Sequence, residues 1–313
     1  MSLDAYRIFW ILTYFNFLNG KMRTMQTNSS ERIEKLETIG VVLRPNAPEL
    51  REYYLNFKNF LKLKNIKAIL DKKSARMIGE HGIDFYEMCK QSDIIISLGG
   101  DGTLISAARK SIDFQKPILG VNMGKLGFLT DFKSNELNEC IDALLNGDYR
   151  IDLRMVIDVE ALLSGYKGQF KVINDLVVRH KKAKMVHIKL YVDGILVNNY
   201  FGDGLIVSTP TGATGYNLSA GGPIVFPYAK NFIITPICPH SLTQRPIVLP
   251  VNFDITLSVG DDDCMALLDG QDSFTLNSHD EIKIGMSKTN AKMIHHKNRN
   301  FFKVISEKLH WGD

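Results

Sequence analysis

The chain has 313 residues, 45% of them hydrophobic and 23% charged, which suits one large or two medium globular domains. A net charge of +4 and a pI of about 8.7 are too mild to point to nucleic acid, and basic runs such as Lys181-Lys182-Ala183-Lys184 read as a solvated face. Four scattered cysteines (Cys89, Cys140, Cys238, Cys264) and histidines without metal-ligand spacing argue against a disulfide framework or zinc site and fit a reducing cytoplasm.

Residues 9–18 are apolar but broken by Thr13 and Asn16, too short for the roughly 20 residues a membrane span needs, and without a signal-peptide cleavage pattern. No membrane partner is expected, and residues 1–37 read as a poorly ordered extension. Residues 39–43 form a short apolar strand, residues 48–63 repeat Leu50, Tyr54, Phe57 and Leu61 at helical spacing, and residues 66–70 are a second strand. The very apolar run 94–98 ends at Gly99-Gly100-Asp101-Gly102-Thr103, and a helix-like stretch begins at Leu104. A strand at 117–122, a glycine loop ending at Phe128 and a helix at 135–145 follow. Strands alternating with helices predict a parallel sheet with right-handed crossovers, and both loops lie at carboxyl ends of strands, where such sheets bind ligands.

Beyond Arg150 the pattern changes. Residues 154–163, 170–179 and 185–192 are strand-like, and Asp193-Gly194 and Asp269-Gly270 are hairpin signals. The expected organisation is an α/β domain over 38–150, an all-β domain over 151–290 and a tail, 291–313, whose strand returns to one of them. The active site is expected in the cleft between the domains.

Three motifs carry chemistry. The 99–103 loop lacks the Lys-Ser/Thr of a Walker A loop and the third glycine of a dinucleotide fingerprint. Its place between a buried strand and a helix still suits phosphate, because glycines admit an anion to free N–H groups. A carboxylate there repels phosphate, so Asp101 is better placed for chemistry than for holding the ligand. The second motif, residues 202–223, packs hydroxyls, glycines and Tyr216 into one long loop that suits a polyhydroxylated, phosphorylated ligand. The third is Asn174-Asp175, two polar residues inside an apolar run, expected to point to opposite faces of one strand; a β-bulge or sheet edge explains them equally well.

Together with Pro239-His240-Ser241-Leu242 ahead of Arg245-Pro246, these motifs resemble the NAD kinase family in order and spacing from residue 39 to the C-terminus. The G-G-D-G-T loop is shared with lipid kinases of the diacylglycerol type; the 208–223 stretch is far more specific. The resemblance implies a Rossmann-like α/β domain followed by a mainly β domain. The activity it implies is ATP-dependent phosphorylation of the adenosine 2′-hydroxyl of NAD, with Mg²⁺ on the phosphates. It also implies a homo-oligomer, dimer or tetramer. Carried over by motif, Asp101 would be the base, and Gly100, Gly102 and Thr103 would hold phosphates. Phe128 would line the adenine pocket, and Asn174 and Asp175 would bind ribose. Asp203 would sit near the nicotinamide end, and Thr211, Thr214, Gly215, Tyr216 and Ser219 would contact the dinucleotide. Two positions depart from the pattern: Asp175 stands where the family usually has Glu, and Gly215 where it usually has Ala, the latter expected to open space near the adenine. The competing readings are a lipid or sugar kinase of the G-G-D-G type and a nucleotide-binding protein without turnover.

Overall fold

The computed structural model describes residues 29–124, 127–163 and 166–310; the apolar run 9–18 lies outside them. Five parallel strands, β1 (Thr38–Leu43), β2 (Lys67–Asp71), β3 (Gly82–Ile83), β4 (Ile94–Gly99) and β5 (Ile118–Asn122), stand in the order β3-β2-β1-β4-β5. Each is apolar because helices cover both sides of the sheet. Leu50–Leu63 turns Leu50, Tyr54, Phe57 and Leu61 inward, and with Leu137–Leu145 it packs on one face. Phe85–Gln91 and Asp101–Ser111 pack on the other. The connections α1 (Leu50–Leu63), α2 (Lys72–Ile78), α3 (Phe85–Gln91) and α4 (Asp101–Ser111) are the expected crossovers.

The sheet is completed by segments distant in sequence. The tail strand β20 (Ala291–His296) pairs parallel to β5 and antiparallel to β7 (Tyr149–Arg154), so the α/β sheet takes in residues on both sides of the β domain. Residues 29–37, expected to belong to a poorly ordered extension, instead lie against this domain: Ile33 and Leu36 pack on its core, and the Arg32 guanidinium donates to the Tyr149 carbonyl at 2.8 Å. Apolar side chains buried in that contact offset the ordering of the segment.

The β domain is a sandwich of two six-stranded sheets. One runs β15 (Ile247–Pro250), β14 (Asn231–Ile237), β13 (Gly204–Ser208), β10 (Asp175–His180), β17 (Cys264–Leu268), β18 (Asp272–Leu276). The other runs β12 (Ile195–Gly202), β11 (Val186–Val192), β16 (Ile255–Val259), β19 (Glu281–Met286), β8 (Ile157–Leu163), β9 (Tyr166–Val172). The strands that position the site are β9, β10, β13, β17 and β18. Alternate residues such as Val159, Ile188 and Leu257 of one sheet meet Leu176, Val207 and Phe232 of the other in a single core. Both hairpin signals hold: Asp193 (φ 49°) with Gly194 (φ 76°), and Asp269 (φ 52°) with Gly270 (φ 64°), take the left-handed conformations of a type I′ turn. Among the described residues no helix is long and apolar enough to cross a membrane.

Candidate active site

Strand β4 delivers the G-G-D-G-T loop to the edge of the α/β domain. Gly100 caps α4 in an extended conformation, and its carbonyl accepts the N–H groups of Thr103 (3.0 Å) and Leu104 (3.1 Å). The N–H groups of Asp101 and Gly102 open the helix and have no carbonyl one turn back to receive them. A Cβ added at Gly100 or Gly102 would meet nothing within 4 Å. These glycines therefore leave open ground rather than supply a positive φ, which is what an approaching anion requires.

The Asp101 carboxylate is held by residues 128–130. Its Oδ1 accepts the Thr130 N–H and Oγ1–H, each at 3.0 Å. Its Oδ2 accepts the Phe128 N–H at 2.7 Å, and the Leu129 N–H is shared between the two oxygens at 3.2 Å. Gly127 makes this approach possible, because a Cβ there would collide with the carboxylate. With about two lone-pair positions per oxygen, Oδ1 is filled, while Oδ2 carries one strong contact and part of another. Oδ2 is the oxygen able to accept a further proton.

The Asn174-Asp175 pair sits differently from the sequence expectation. Asn174 lies in the bend between β9 and β10, where the chain passes from one sheet to the other, so the two residues do not face opposite sides of one strand. Ile173 is buried with Leu104 and Ile105 of α4 in the α/β core, which sets the bend beside the G-G-D-G-T helix. The hydroxyl-rich loop is stitched to the bend: the Thr209 N–H donates to the Asn174 carbonyl (2.8 Å), the Ser208 hydroxyl to the same carbonyl (3.1 Å), and the Thr209 hydroxyl to the Ile173 carbonyl (2.5 Å). Gly212 passes so near the Asn174 carbonyl that any Cβ would strike it. Asn174 Oδ1 and Thr211 Oγ1 are buried with no partner among the described residues. Buried polar atoms are normally satisfied, and these two remain able to take a further partner.

A residue read from the sequence only as a turn joins the two motifs. Asp269, side chain fully buried, accepts the N–H groups of Ile173, Asn174 and Asp175 at 2.7–3.2 Å. Its neighbour Gln271 donates to the Gly102 carbonyl at 2.8 Å. Arg109, one face of α4 further on, lies 3.5 Å from Asp269 and pairs with Asp272. Burial, reinforced by Asp269, pushes Asp175 up to about 7. Asp269 is also raised by burial, opposed by its three N–H donors and Arg109. The charged form is thus better supported by neighbours on Asp269 than on Asp175, and the two titrate as a coupled pair.

The remaining expected residues divide. The space at Gly215 opens on this pair: an added Cβ would lie 3.2 Å from the Gly212 carbonyl, 3.7 Å from Asn174 Nδ2 and 3.8 Å from Asp175 Oδ2. Thr211, Thr214, Gly215, Tyr216 and Ser219 follow in one short helical turn, with Tyr216 45% exposed. Asn217 was not anticipated. It is fully buried and clamps the turn by donating to the carbonyls of Ala213 and Pro223 (both 3.1 Å) and accepting the Thr235 hydroxyl (2.6 Å). Asp203 is not brought to this group: Asp175 pairs with Ser208 and Arg179 with Gly204, so Asp203 lies beyond the opposite end of β13, exposed. Nor does a cavity of about 1040 Å³ between Arg109, Lys171 and Asp272 include the motifs. Its walls carry charges already paired, such as Arg109 with Asp272 and Lys171 with Asp158.

Comparison with known proteins agrees with this geometry. The ATP-NAD kinase N-terminal domain matches residues 39–149, and the ATP-NAD kinase C-terminal domain matches residues 173–296. The chain belongs to the NAD kinase family. NAD kinase of Wolinella succinogenes is 44% identical over 285 residues, covering 90% of this chain and 98% of that one. NAD kinase of Sulfurimonas denitrificans is 40% identical over 279 residues, 89% and 98% of the two chains. Among solved structures, an NAD kinase from Archaeoglobus fulgidus in complex with ATP has a TM-score of 0.71 at 26% identity, over 87% and 98% of the chains. Yeast NADH kinase complexed with NADH has a TM-score of 0.82 at 24% identity over 89% of each, a likeness of fold. Both domains of this NAD kinase family member are thus those of its relatives.

Proposed function

We propose that this chain transfers the γ-phosphoryl group of ATP to the 2′-hydroxyl of the adenosine ribose of NAD, giving NADP, with Asp101 as the proton acceptor. The observation that carries the reading is the hairpin turn at 269–271, which holds the Asn174-Asp175 bend with one residue and the Gly102 carbonyl with another. That turn ties the bend carrying Asn174 Oδ1, which like Thr211 Oγ1 lacks a partner, to the helix that begins at Asp101, which supports an acceptor site beside Asp101. A dinucleotide fits this better than an acyl chain or a hexose, because the adjoining 208–219 loop is rich in hydroxyls and glycines.

Phosphoryl transfer is mostly positioning and charge neutralisation. A ribose hydroxyl is a weak nucleophile until its proton is taken, and Asp101 Oδ2 is the free acceptor. Asn174 Oδ1 and protonated Asp175 would accept from and donate to ribose oxygens; Thr211, Thr214, Gly215, Tyr216 and Ser219 would flank the dinucleotide, and Phe128 the adenine. Asp203 would meet only the far, nicotinamide end of a ligand laid along β13. Gly100, Gly102 and Thr103 would receive phosphates. Mg²⁺ would supply charge neutralisation on those phosphates. The described residues contain no group of three His, Cys, Asp or Glu able to hold a metal alone, which supports its arriving on nucleotide oxygens, as Mg²⁺ commonly does.

The free edge of β12 (Ile195–Gly202) exposes Ile195, Leu196 and Val197, which supports a homo-oligomer, since such edges are otherwise guarded. A cytoplasmic setting suits its four free cysteines. The test is to incubate the pure protein with ATP, Mg²⁺ and NAD and to measure NADP. Formation of NADP is expected, and Asp101→Asn is expected to lose about 10²- to 10⁴-fold in kcat with NAD binding kept. Absence of NADP with NAD still bound would leave a nucleotide-binding protein without turnover; normal turnover in Asp101→Asn would remove the base.

A further inference from the structure

A buried set of charges stands directly behind the loop that holds Asp101. Arg299, in the turn after β20, has a side chain only 6% exposed. Its Nε lies 2.9 Å from Asp131 Oδ1, and its Nη2 donates to the Phe128 carbonyl. His295 Nδ1 donates to the other oxygen of Asp131, Oδ2, at 2.8 Å, and both His295 ring nitrogens lie 2.7 Å from Arg299 Nη1. Burial and the charge of Arg299 push His295 down to about 4; it is the neutral tautomer, and its Nε2 accepts from Arg154 Nη2 at 3.2 Å. Asp131 therefore has one oxygen on the imidazole and the other on Arg299, and Arg299 is fixed in turn by Asp131, the Phe128 carbonyl and its contact with His295.

The Phe128 carbonyl and the Leu129 N–H belong to the same peptide group. A trans peptide is planar, with its C=O and N–H pointing in opposite directions. Arg299 holds the oxygen end, and the hydrogen end lies across both oxygens of Asp101 at 3.2 Å. Fixing one end fixes the other, and a cation on the carbonyl polarises the N–H into a stronger donor. We propose that Arg299 is a positioning residue for phosphoryl transfer, acting on Asp101 through the single peptide group between Phe128 and Leu129. The Leu129 N–H sets the plane of the carboxylate, and the weaker contact to Oδ2 is the one a substrate hydroxyl displaces. Lysine cannot replace Arg299, because one ammonium cannot reach Asp131 and the Phe128 carbonyl in the fixed fork that a guanidinium provides.

The inference rests on Asp101 being the base, and the experiment separates the two. Asp101→Asn, Arg299→Met, Arg299→Lys and the double variant Asp101→Asn/Arg299→Met are compared by kcat and NAD KM at saturating ATP and Mg²⁺, with thermal unfolding as the check on folding. Arg299→Met is expected to lose about 10- to 100-fold in kcat, the scale of a sub-ångström to 1 Å misplacement, with NAD KM within about twofold. Arg299→Lys, which keeps a charge beside Asp131 and is the variant of record if the methionine form does not fold, is expected to lose about 10-fold. The double variant is expected to be no slower than Asp101→Asn. Turnover of the Arg299 variants equal to the parent, a change confined to KM, or losses that multiply in the double variant would each overturn the proposal while leaving Asp101 as base. Normal turnover in Asp101→Asn would overturn both.

Discussion

Behind residues 128–130, every buried carboxylate faces a cation or an N–H donor: Asp131 faces Arg299 and His295, and Asp152 faces Arg150, Arg154 and Tyr228. Burial would raise Asp152, but His295 and the arginines outweigh it and hold it below the usual carboxylate range. At the junction with the β domain, two carboxylates, Asp175 and Asp269, lie near each other, with Arg109 as the opposing charge. Asn174 Oδ1 and Thr211 Oγ1 there have no partner. An unsatisfied buried polar atom costs about 1–3 kcal/mol. The difference lies in charge: the first cluster sets its carboxylates against cations of the chain itself, although Arg154 Nε and Nη1 there also lack a hydrogen-bond partner, whereas the second holds two carboxylates against one cation and leaves neutral polar atoms unpartnered beside the hydroxyl-rich loop.

The comparison is broken most severely in the first cluster. Removing one member leaves charge buried without compensation, which costs about 3–5 kcal/mol. Arg154→Met is expected to lose about that much by urea denaturation, since it takes a cation from Asp152 and a donor from His295. A loss below about 1 kcal/mol would mean that Arg150 and Tyr228 already suffice. Where the two regions meet, Gly127→Ala is expected to reduce kcat by about 10²-fold, because its Cβ occupies the space of the Asp101 carboxylate; equal turnover would show that the 128–130 loop moves freely. In the second cluster the signs reverse. Asn174→Ala removes an unsatisfied atom, so unfolding free energy is expected to stay level or rise, while NAD KM rises about 10-fold, the worth of one ordinary hydrogen bond. Destabilisation without a change in KM would show the side chain to be structural.

How much of this was legible in the sequence depends on the range of the interactions. The β4–loop–α4 unit and both hairpins are local: a buried strand, glycines and a helix, or an Asp-Gly between alternating residues, specify themselves within a few positions. The candidate site residues can be proposed from sequence because they cluster in motifs. Asp269 escaped although Asp269-Gly270 was noted, because a turn signal says nothing of a carboxylate reaching residues 173–175, nearly a hundred positions away. Arg299 escaped for the same reason, lying 171 residues from the carbonyl it holds. Asn174 and Asp175 were noticed as polar intruders, but periodicity within a strand cannot reveal that the chain changes sheets between Val172 and Asp175. Only the pairing of β9 and β10 in different sheets shows that.

The gentlest test sets the two regions against each other in a single titration. His295 binds its proton at about 4 in the fold against 6.5 ordinarily. Between those values the unfolded chain holds more protons, so this group's contribution to stability is complete above about pH 6.5 and is lost as pH falls toward 4. Asp175 binds its proton at about 7 against 3.8 ordinarily. The folded chain holds more protons in that window, so its contribution falls as pH rises from about 4 to 7. Each slope is at most about 1.4 kcal/mol per pH unit, and from pH 4 to 6.5 the two oppose each other. Asp175→Asn removes one side of the balance, so its unfolding free energy is expected to climb more steeply with pH over that interval than the parent's. His295→Gln removes the other side and should climb less steeply or decline. Parallel profiles for the parent and Asp175→Asn would mean that Asp175 carries no proton in the folded state, and that the second cluster holds two charged carboxylates instead of one.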